Sequence, residues 1–273
     1  MNDLSDLTPA GIQNPRIIQY LAIKKNTKSN PEHLSTLEGL WEVTTALDAG
    51  LPFRALFICP PQLRGDTARH LAGRIVDSGT HAYEVSAKVM ERLSDRDDPD
   101  GLAAIVQLPH WELDDIPLRA QNRVVVLDGL EIPGNVGTII RCAHGTGTDA
   151  VILTNRRTRL SHPKVLGSSM GSSLVIPVIE AEQDAAIAWL TDHDFGIITT
   201  ATSATTSYRR ADYRGRVAAV MGSERYGIMQ DWHTAQTSSV FIPMTDKLDS
   251  LNVGNAAVLL LYEMFYQQDG ERF

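Results

Sequence analysis

The sequence predicts an α/β protein whose C-terminal half is built on a parallel sheet, and three observations carry that expectation. Val124–Asp128 is a continuous apolar run, the pattern of a strand buried on both faces. Downstream of it, strand-like and helical stretches alternate in the order that parallel sheets require. The chain has 273 residues, 43% hydrophobic and 21% charged, which is a globular composition with room for one large domain or two ordinary ones.

The first 117 residues read as a small α/β domain of their own. A helix is expected over Pro15–Lys25, followed by the polar loop Asn26–His33, the segment Leu37–Leu47 and a short strand at Ala55–Cys59. Helical periodicity resumes over Thr67–Asp77, and a strand at Ala103–Leu108 follows an acidic loop. The acidic, proline-containing Trp111–Pro117 closes this domain, residues 118–122 form a linker, and residues 123–273 form the second domain. There the strand Val124–Asp128 leads to a helix over about 136–146, a strand at Ala150–Leu153 and a short helix near 163–170. A strand around Leu174–Ile179, a helix near 182–193, and the strands Gly196–Thr200, Val217–Met221 and Ser239–Pro243 come next. A helix from about residue 252 completes the chain; its stretch Val253–Tyr262 is too apolar around its circumference for a surface helix and asks for a second cover, such as a partner subunit.

Composition narrows the function classes. Nothing approaches a membrane-spanning apolar run, and the N-terminal MNDLSDLTPAGIQNP lacks the apolar core of a secretory signal. The two cysteines, Cys59 and Cys142, stand far apart without a CxxC partner, which argues against a disulfide or a zinc site and points to the cytoplasm. No metal is expected. The net charge of −8 is unevenly spread, with acids concentrated over residues 93–115. Two locally basic groups, Arg16 with Lys24, Lys25 and Lys28, and Arg156, Arg157 and Arg159 with Lys164, keep RNA open as a partner.

Three polar, glycine-containing stretches fall at strand C-termini, where open α/β sheets place ligands. The first is Asp128-Gly-Leu-Glu-Ile-Pro-Gly-Asn-Val-Gly-Thr-Ile-Ile-Arg141. In it Gly134-Asn135 is read as a turn and N-cap, Val136, Ile139, Ile140 and Ala143 as the core stripe, and Asn135, Thr138 and Arg141 as the opposite flank. The second is Val220-Met-Gly-Ser-Glu-Arg-Tyr-Gly227, whose glycines allow close backbone approach. The third runs from Val240 through Ser250-Leu251-Asn252 into the last helix, with Asn252 as N-cap. Gly145-Thr-Gly147-Thr-Asp-Ala150 matches a dinucleotide fingerprint but follows a helix and precedes a strand, the reverse of the required order, so it reads as a helix C-cap. No hydrolase triad motif is present.

Together these stretches resemble the three motifs of the SpoU/TrmH branch of the SPOUT RNA methyltransferases. LDGLEIPGNVGTIIRCAHGTGTDAVIL resembles the first, MGSERYG the second and IPMTDKLDSLNVGNAAVLLLYE the third. Residues 35–107 are similar, more weakly, to the family's N-terminal substrate-binding domain through Leu37-Glu38-Gly39 and Gly101-Leu-Ala-Ala-Ile-Val106. The resemblance implies a SPOUT domain with a deep trefoil knot, formed where the C-terminal segment threads a loop, behind a small α/β RNA-binding domain. It also implies a bent S-adenosyl-L-methionine between the second and third loops, held at Gly222, Ile242 and Leu251 with Ser223, Met244 and Val253 beside them. Asn135, Arg141, Glu224, Ser250 and Asn252 are the implied catalytic set. A homodimer is implied too, with Arg141 of one subunit facing the cofactor of the other. Three departures stand out: Gly254 where serine is usual, Arg225-Tyr226 where a smaller residue is common, and an N-terminal basic signature reduced to Lys24, Lys25 and Lys28.

The implied reaction is methyl transfer to a ribose 2′-hydroxyl of RNA. The two-domain layout is similar to ribosomal-RNA modifiers, including those that confer resistance to ribosome-targeting antibiotics, which makes large-subunit ribosomal RNA the expected substrate. A tRNA 2′-O-methyltransferase and a non-catalytic RNA-binding relative are the alternatives; the latter would have lost Arg141 or Asn252, and both are present.

Overall fold

A computed structural model describes residues 7–232, 237–245 and 250–270. In chain order the first elements are β1 (Thr8–Pro9), α1 (Pro15–Lys25), β2 (Leu34–Glu38), α2 (Gly39–Asp48), β3 (Phe53–Ile58), α3 (Gly65–Asp77), β4 (Ala82–Glu84), α4 (Ala87–Leu93) and β5 (Leu102–Gln107). They are followed by β6 (Asn122–Asp128), α5 (Pro133–Gly145), β7 (Ala150–Thr154), α6 (Pro163–Ser169), β8 (Val178–Glu180) and α7 (Gln183–Asp192). The series ends with β9 (Gly196–Thr200), β10 (Thr206–Ser207), β11 (Arg216–Gly222), β12 (Thr237–Phe241) and α8 (Val253–Asp269).

The chain divides into two compact units, Met1–Pro109 with Ser161–Leu174, and His110–Leu160 with Val175–Phe273. The first holds a five-stranded sheet in the order β1-β4-β3-β5-β2, with β5 antiparallel to both β2 and β3. Its core gathers Ile17 and Tyr20 of α1, Phe57 of β3, Met90 and Leu93 of α4 and Ile105 of β5. Within Leu37–Leu47 the strand β2 ends and the helix α2 begins. The break falls at Gly39, whose φ of +83° and whose missing Cβ make room for the Arg96 guanidinium. The short segment 161–174 joins this unit through the Trp41 indole, which donates to the Met170 carbonyl at 3.1 Å, and the Ser35 hydroxyl, which donates to the Ser161 carbonyl at 3.3 Å.

The second unit is a seven-stranded, wholly parallel sheet in the order β10-β12-β9-β11-β6-β7-β8. Every residue of β6 is buried, as its apolar run predicts. Val124, Val126, Ile152, Ile197 and Val220 pack with Ala186, Trp189 and Leu190 of α7 on one face. The alternating Val125, Leu127, Ala219 and Met221 serve the other face, where α5 and α8 lie against the sheet and each other. Because all strands run the same way, the ends of β6, β11 and β12 open on a single edge.

Two expectations need correction. The strand expected around Leu174–Ile179 occupies Val178–Glu180, because Ser172–Leu174 forms a 3-10 turn. The helix after β6 begins at Pro133, a residue favoured in a first turn, so Asn135 lies inside it and is not its N-cap. Gly147, with φ of +62°, and Thr148, whose amide donates to the Ala143 carbonyl at 2.8 Å, close α5, as the helix C-cap reading requires. Both cysteines are free thiols. Among the described residues no helix is long and apolar enough to cross a membrane.

Candidate active site

The three loops meet at one carboxylate oxygen. Glu224 Oε1 accepts from the Asn252 amide at 2.8 Å, the Asn135 amide at 3.1 Å and the Val253 backbone N–H at 3.2 Å. Asn252 Nδ2 also donates to Asn135 Oδ1 at 3.2 Å, which closes a triangle of side chains from the first, second and third stretches. Asn252 in turn caps α8, its Oδ1 accepting from Gly254 N at 3.0 Å and Asn255 N at 3.4 Å. The helix N-terminus and two amide dipoles thus converge on one negative charge, an arrangement favoured by the macrodipole.

The turn that carries Glu224 is tightly made. Ser223 and Gly227 exchange backbone hydrogen bonds at 3.0 and 2.8 Å, and Ser223 Oγ accepts from the amides of Arg225 at 3.2 Å and Tyr226 at 3.3 Å. A Cβ on Gly222 would stand 2.4 Å from the Gly227 carbonyl carbon. The glycine is therefore required by the turn folding back on its own strand. Asp128 braces the same region from beneath: 1% exposed, it accepts from Thr154 Oγ1 at 3.0 Å, Asn155 Nδ2 at 2.7 Å and the Met229 amide at 3.0 Å. Sequence reasoning passed over Asp128, although a carboxylate ending a buried parallel strand is itself the signal.

Beside the triangle lies a cavity of about 430 Å³ at the ends of β9 and β12. Ile242, Met244, Ser250 and Leu251 line it as expected, with Thr200, Ala201 and Thr202 forming a wall that the sequence reading missed. Thr200 ends β9 and Ala201 and Thr202 continue past it, the Ala201 amide donating to the Val240 carbonyl at 3.0 Å. The stretch carries no glycine, but its place after a parallel strand was available as a clue. Gly222, Ser223 and Val253 build the adjoining turn and helix start and are not part of the cavity lining.

Arg141 stands apart from the triangle. It is exposed on α5, six residues beyond Asn135, which is about 9 Å along a helix. Among the described residues nothing hydrogen-bonds or ion-pairs with it. Cys142, next to it, is half-buried, and burial pushes its thiol up to about 11, so it is no nucleophile at neutral pH. The basic residues are variously committed. Lys24 is bound to Asp95 at 2.8 Å and to the Leu93 carbonyl at 2.7 Å, and Arg156 pairs with Glu180. Arg16 donates to Gln19, while Lys25, Lys28, Arg157 and Lys164 are exposed and Arg159 is half-buried. No group of three metal-ligating side chains occurs among the described residues.

Residues 122–262 match the SpoU rRNA methylase family, and residues 14–104 match the MRM3-like substrate binding domain. An uncharacterized tRNA/rRNA methyltransferase of Synechocystis is 28% identical over 268 residues, covering 98% of this chain and 96% of that one. The 23S rRNA (uridine(2479)-2′-O)-methyltransferase of Streptomyces viridochromogenes is 25% identical over 265 residues, covering 94% and 91%. Among solved structures, an AdoMet-bound rRNA methyltransferase from Sinorhizobium meliloti superposes with a TM-score of 0.84 at 28% identity, covering 93% of this chain and 95% of that one.

Proposed function

Because the chain belongs to the SpoU rRNA methylase family, we propose that it transfers a methyl group to a ribose 2′-hydroxyl of 23S ribosomal RNA in the cytoplasm. The observation that carries this reading is the meeting of all three loops at Glu224 Oε1 beside a cavity of nucleoside size. The Streptomyces relative, named for 2′-O-methylation of 23S rRNA, supports the choice of RNA.

S-adenosyl-L-methionine supplies the methyl group from its sulfonium when bound. The residues fit such a ligand: Ile242, Leu251 and Ala256 offer apolar surface for a base, and Thr200, Thr202 and Ser250 offer hydroxyls for a sugar. No ionised side chain lines the cavity among the described residues. Glu224 fixes Asn135 and Asn252, so that their amides present a set geometry to the ribose. Arg141 clamps the neighbouring phosphate and stabilises charge developing on the 2′-oxygen.

Arg141 acts on the site of a second copy of the chain. Its exposure, its lack of a described partner and the exposed Tyr262 and Tyr266 on α8 support such a homodimer. A knotted C-terminus is supported by the sheet order, in which β12 lies outside β9 while α8 returns to β11 and β6. The exposed Lys25, Lys28, Arg157 and Lys164 are assigned to RNA phosphates.

Mapping 2′-O-methyl sites in RNA from cells with and without the protein tests the proposal. A 23S position that loses its methyl group on deletion is the expected result. Loss confined to tRNA would move the substrate to tRNA, and no loss at any RNA position would overturn the reading.

A further inference from the structure

The turn between β11 and the Ser223–Gly227 closure sends its side chains two ways. Glu224 turns to the Asn135–Asn252 triangle, while Arg225 and Tyr226 project to solvent. Tyr226 is 63% exposed, an unusual state for a ring of that size. The Arg225 guanidinium lies 5.2 Å from the centre of that ring and covers one side of it. Among the described residues no carboxylate pairs with Arg225, although Glu224 is its immediate neighbour in the chain.

Exposure of this kind usually goes with a mobile tip, but here the backbone is held. The amides of both Arg225 and Tyr226 are taken by Ser223 Oγ, and Gly222 seats the turn directly on Gly227. The two side chains are therefore presented from a fixed base, one residue from the triangle. A held aromatic plate beside an uncommitted arginine matches what single-stranded RNA offers, a π-face and a phosphate at adjacent positions.

We propose that Arg225 and Tyr226 form a docking tip for an unpaired nucleotide flanking the methylated ribose: its base stacks on Tyr226 and its phosphate pairs with Arg225. This rests on the reading of the site as an RNA methyltransferase centre and names how that site grips its substrate. Stacking reads no base edge, so the tip adds affinity and register and leaves sequence choice elsewhere. Neither residue touches the reacting atoms; both are positioning residues.

The test uses the full chain and a fluorescein-labelled single-stranded RNA of roughly a dozen nucleotides, read by anisotropy over a salt series. Tyr226→Ala should weaken binding about tenfold or more, and Tyr226→Phe should restore it, because the ring and not the hydroxyl does the stacking. Arg225→Ala should weaken binding and flatten the salt dependence by about one ion. Binding of S-adenosyl-L-methionine by calorimetry should be unchanged in all three, which confirms that they fold. With ribosomal RNA as substrate, KM should rise while kcat stays within about threefold. RNA binding by Tyr226→Ala within twofold of wild type would overturn the proposal, as would a fall in kcat with RNA affinity intact. A wild-type protein that binds the RNA through this tip yet methylates none would instead sink the methyltransferase reading and leave the tip standing.

Discussion

Helices α5 and α8 pack against one another, yet their N-termini are finished in opposite ways. The first turn of α8 is closed by side chains: Asn252 takes the amides of Gly254 and Asn255, and Glu224 takes that of Val253. The start of α5 has no side-chain cap, Ile132 stands at the capping position half-exposed, and Pro133 removes one of the orphan donors. Asn135, a residue type that would cap well, is spent on Glu224 instead. Polar side chains at this junction close the first turn of α8, whereas the polar flank of α5 caps nothing of its own helix. The consequence is that substitutions on α5 should strike activity and spare stability, while those around α8 should strike both.

Arg141→Ala is the strongest break on the α5 side. Removing a donor that stabilises transition-state charge costs on the order of 10²–10³ in rate. Tritium transfer from labelled cofactor to ribosomal RNA should fall by that much, while calorimetric cofactor affinity and melting temperature stay as in wild type. Activity within a few-fold of wild type would remove Arg141 from the mechanism.

Gly222→Ala attacks α8 from a distance. Its new Cβ would sit 2.4 Å from Gly227, so the turn must move and carry Glu224 away from Val253. A loss of about 1–3 kcal/mol in denaturant unfolding is expected, together with a higher KM for RNA. Unchanged stability would show that the turn is softer than its hydrogen bonds indicate.

A paired measurement sharpens the contrast further. Asn252→Ala removes a cap and should cost about 1 kcal/mol of stability, while Asn135→Ala, which caps nothing, should cost clearly less. Both should lower methyl transfer, since each leaves Glu224 with one fewer donor. Equal stability losses would erase the distinction between the two helices.

Much of this junction was legible beforehand, and the reasons are local. Apolar runs are broken by a carboxylate at Asp128, a glycine at Gly222 and a proline at Pro243, so the loops announce themselves. The stripe Val136, Ile139, Ile140 and Ala143 is buried as its spacing requires, and Asn252 caps α8 as expected. What could not be read depends on contacts far apart in the chain. Asn135 reads as a cap from the sequence because nothing nearby shows that Glu224, 89 residues away, claims it. The wall Thr200–Thr202 has no glycine to mark it, and β4 and α4 span only 3 and 7 residues, too few for periodicity to register. The joining of segment 161–174 to the first unit follows from tertiary packing, on which a local pattern carries no information.

The smallest effect belongs to Gly254, at the second position of α8. Its φ is ordinary, so the backbone tolerates a side chain. A Cβ there would lie 3.0 Å from Asn252 Oδ1, the same atom that caps the Gly254 amide, and 3.8 Å from both Asn135 Oδ1 and Thr138 Cγ2. Two effects then oppose each other. Replacing glycine in a helix gains up to about 1 kcal/mol, less in a first turn, while crowding Asn252 weakens a cap worth about as much. Gly254→Ser should therefore change stability by less than about 0.5 kcal/mol and methyl transfer by less than twofold. A loss above about 1 kcal/mol would mean that Asn252 cannot give by a few tenths of an ångström. In that case glycine here is the condition for the tight capping that distinguishes α8 from α5.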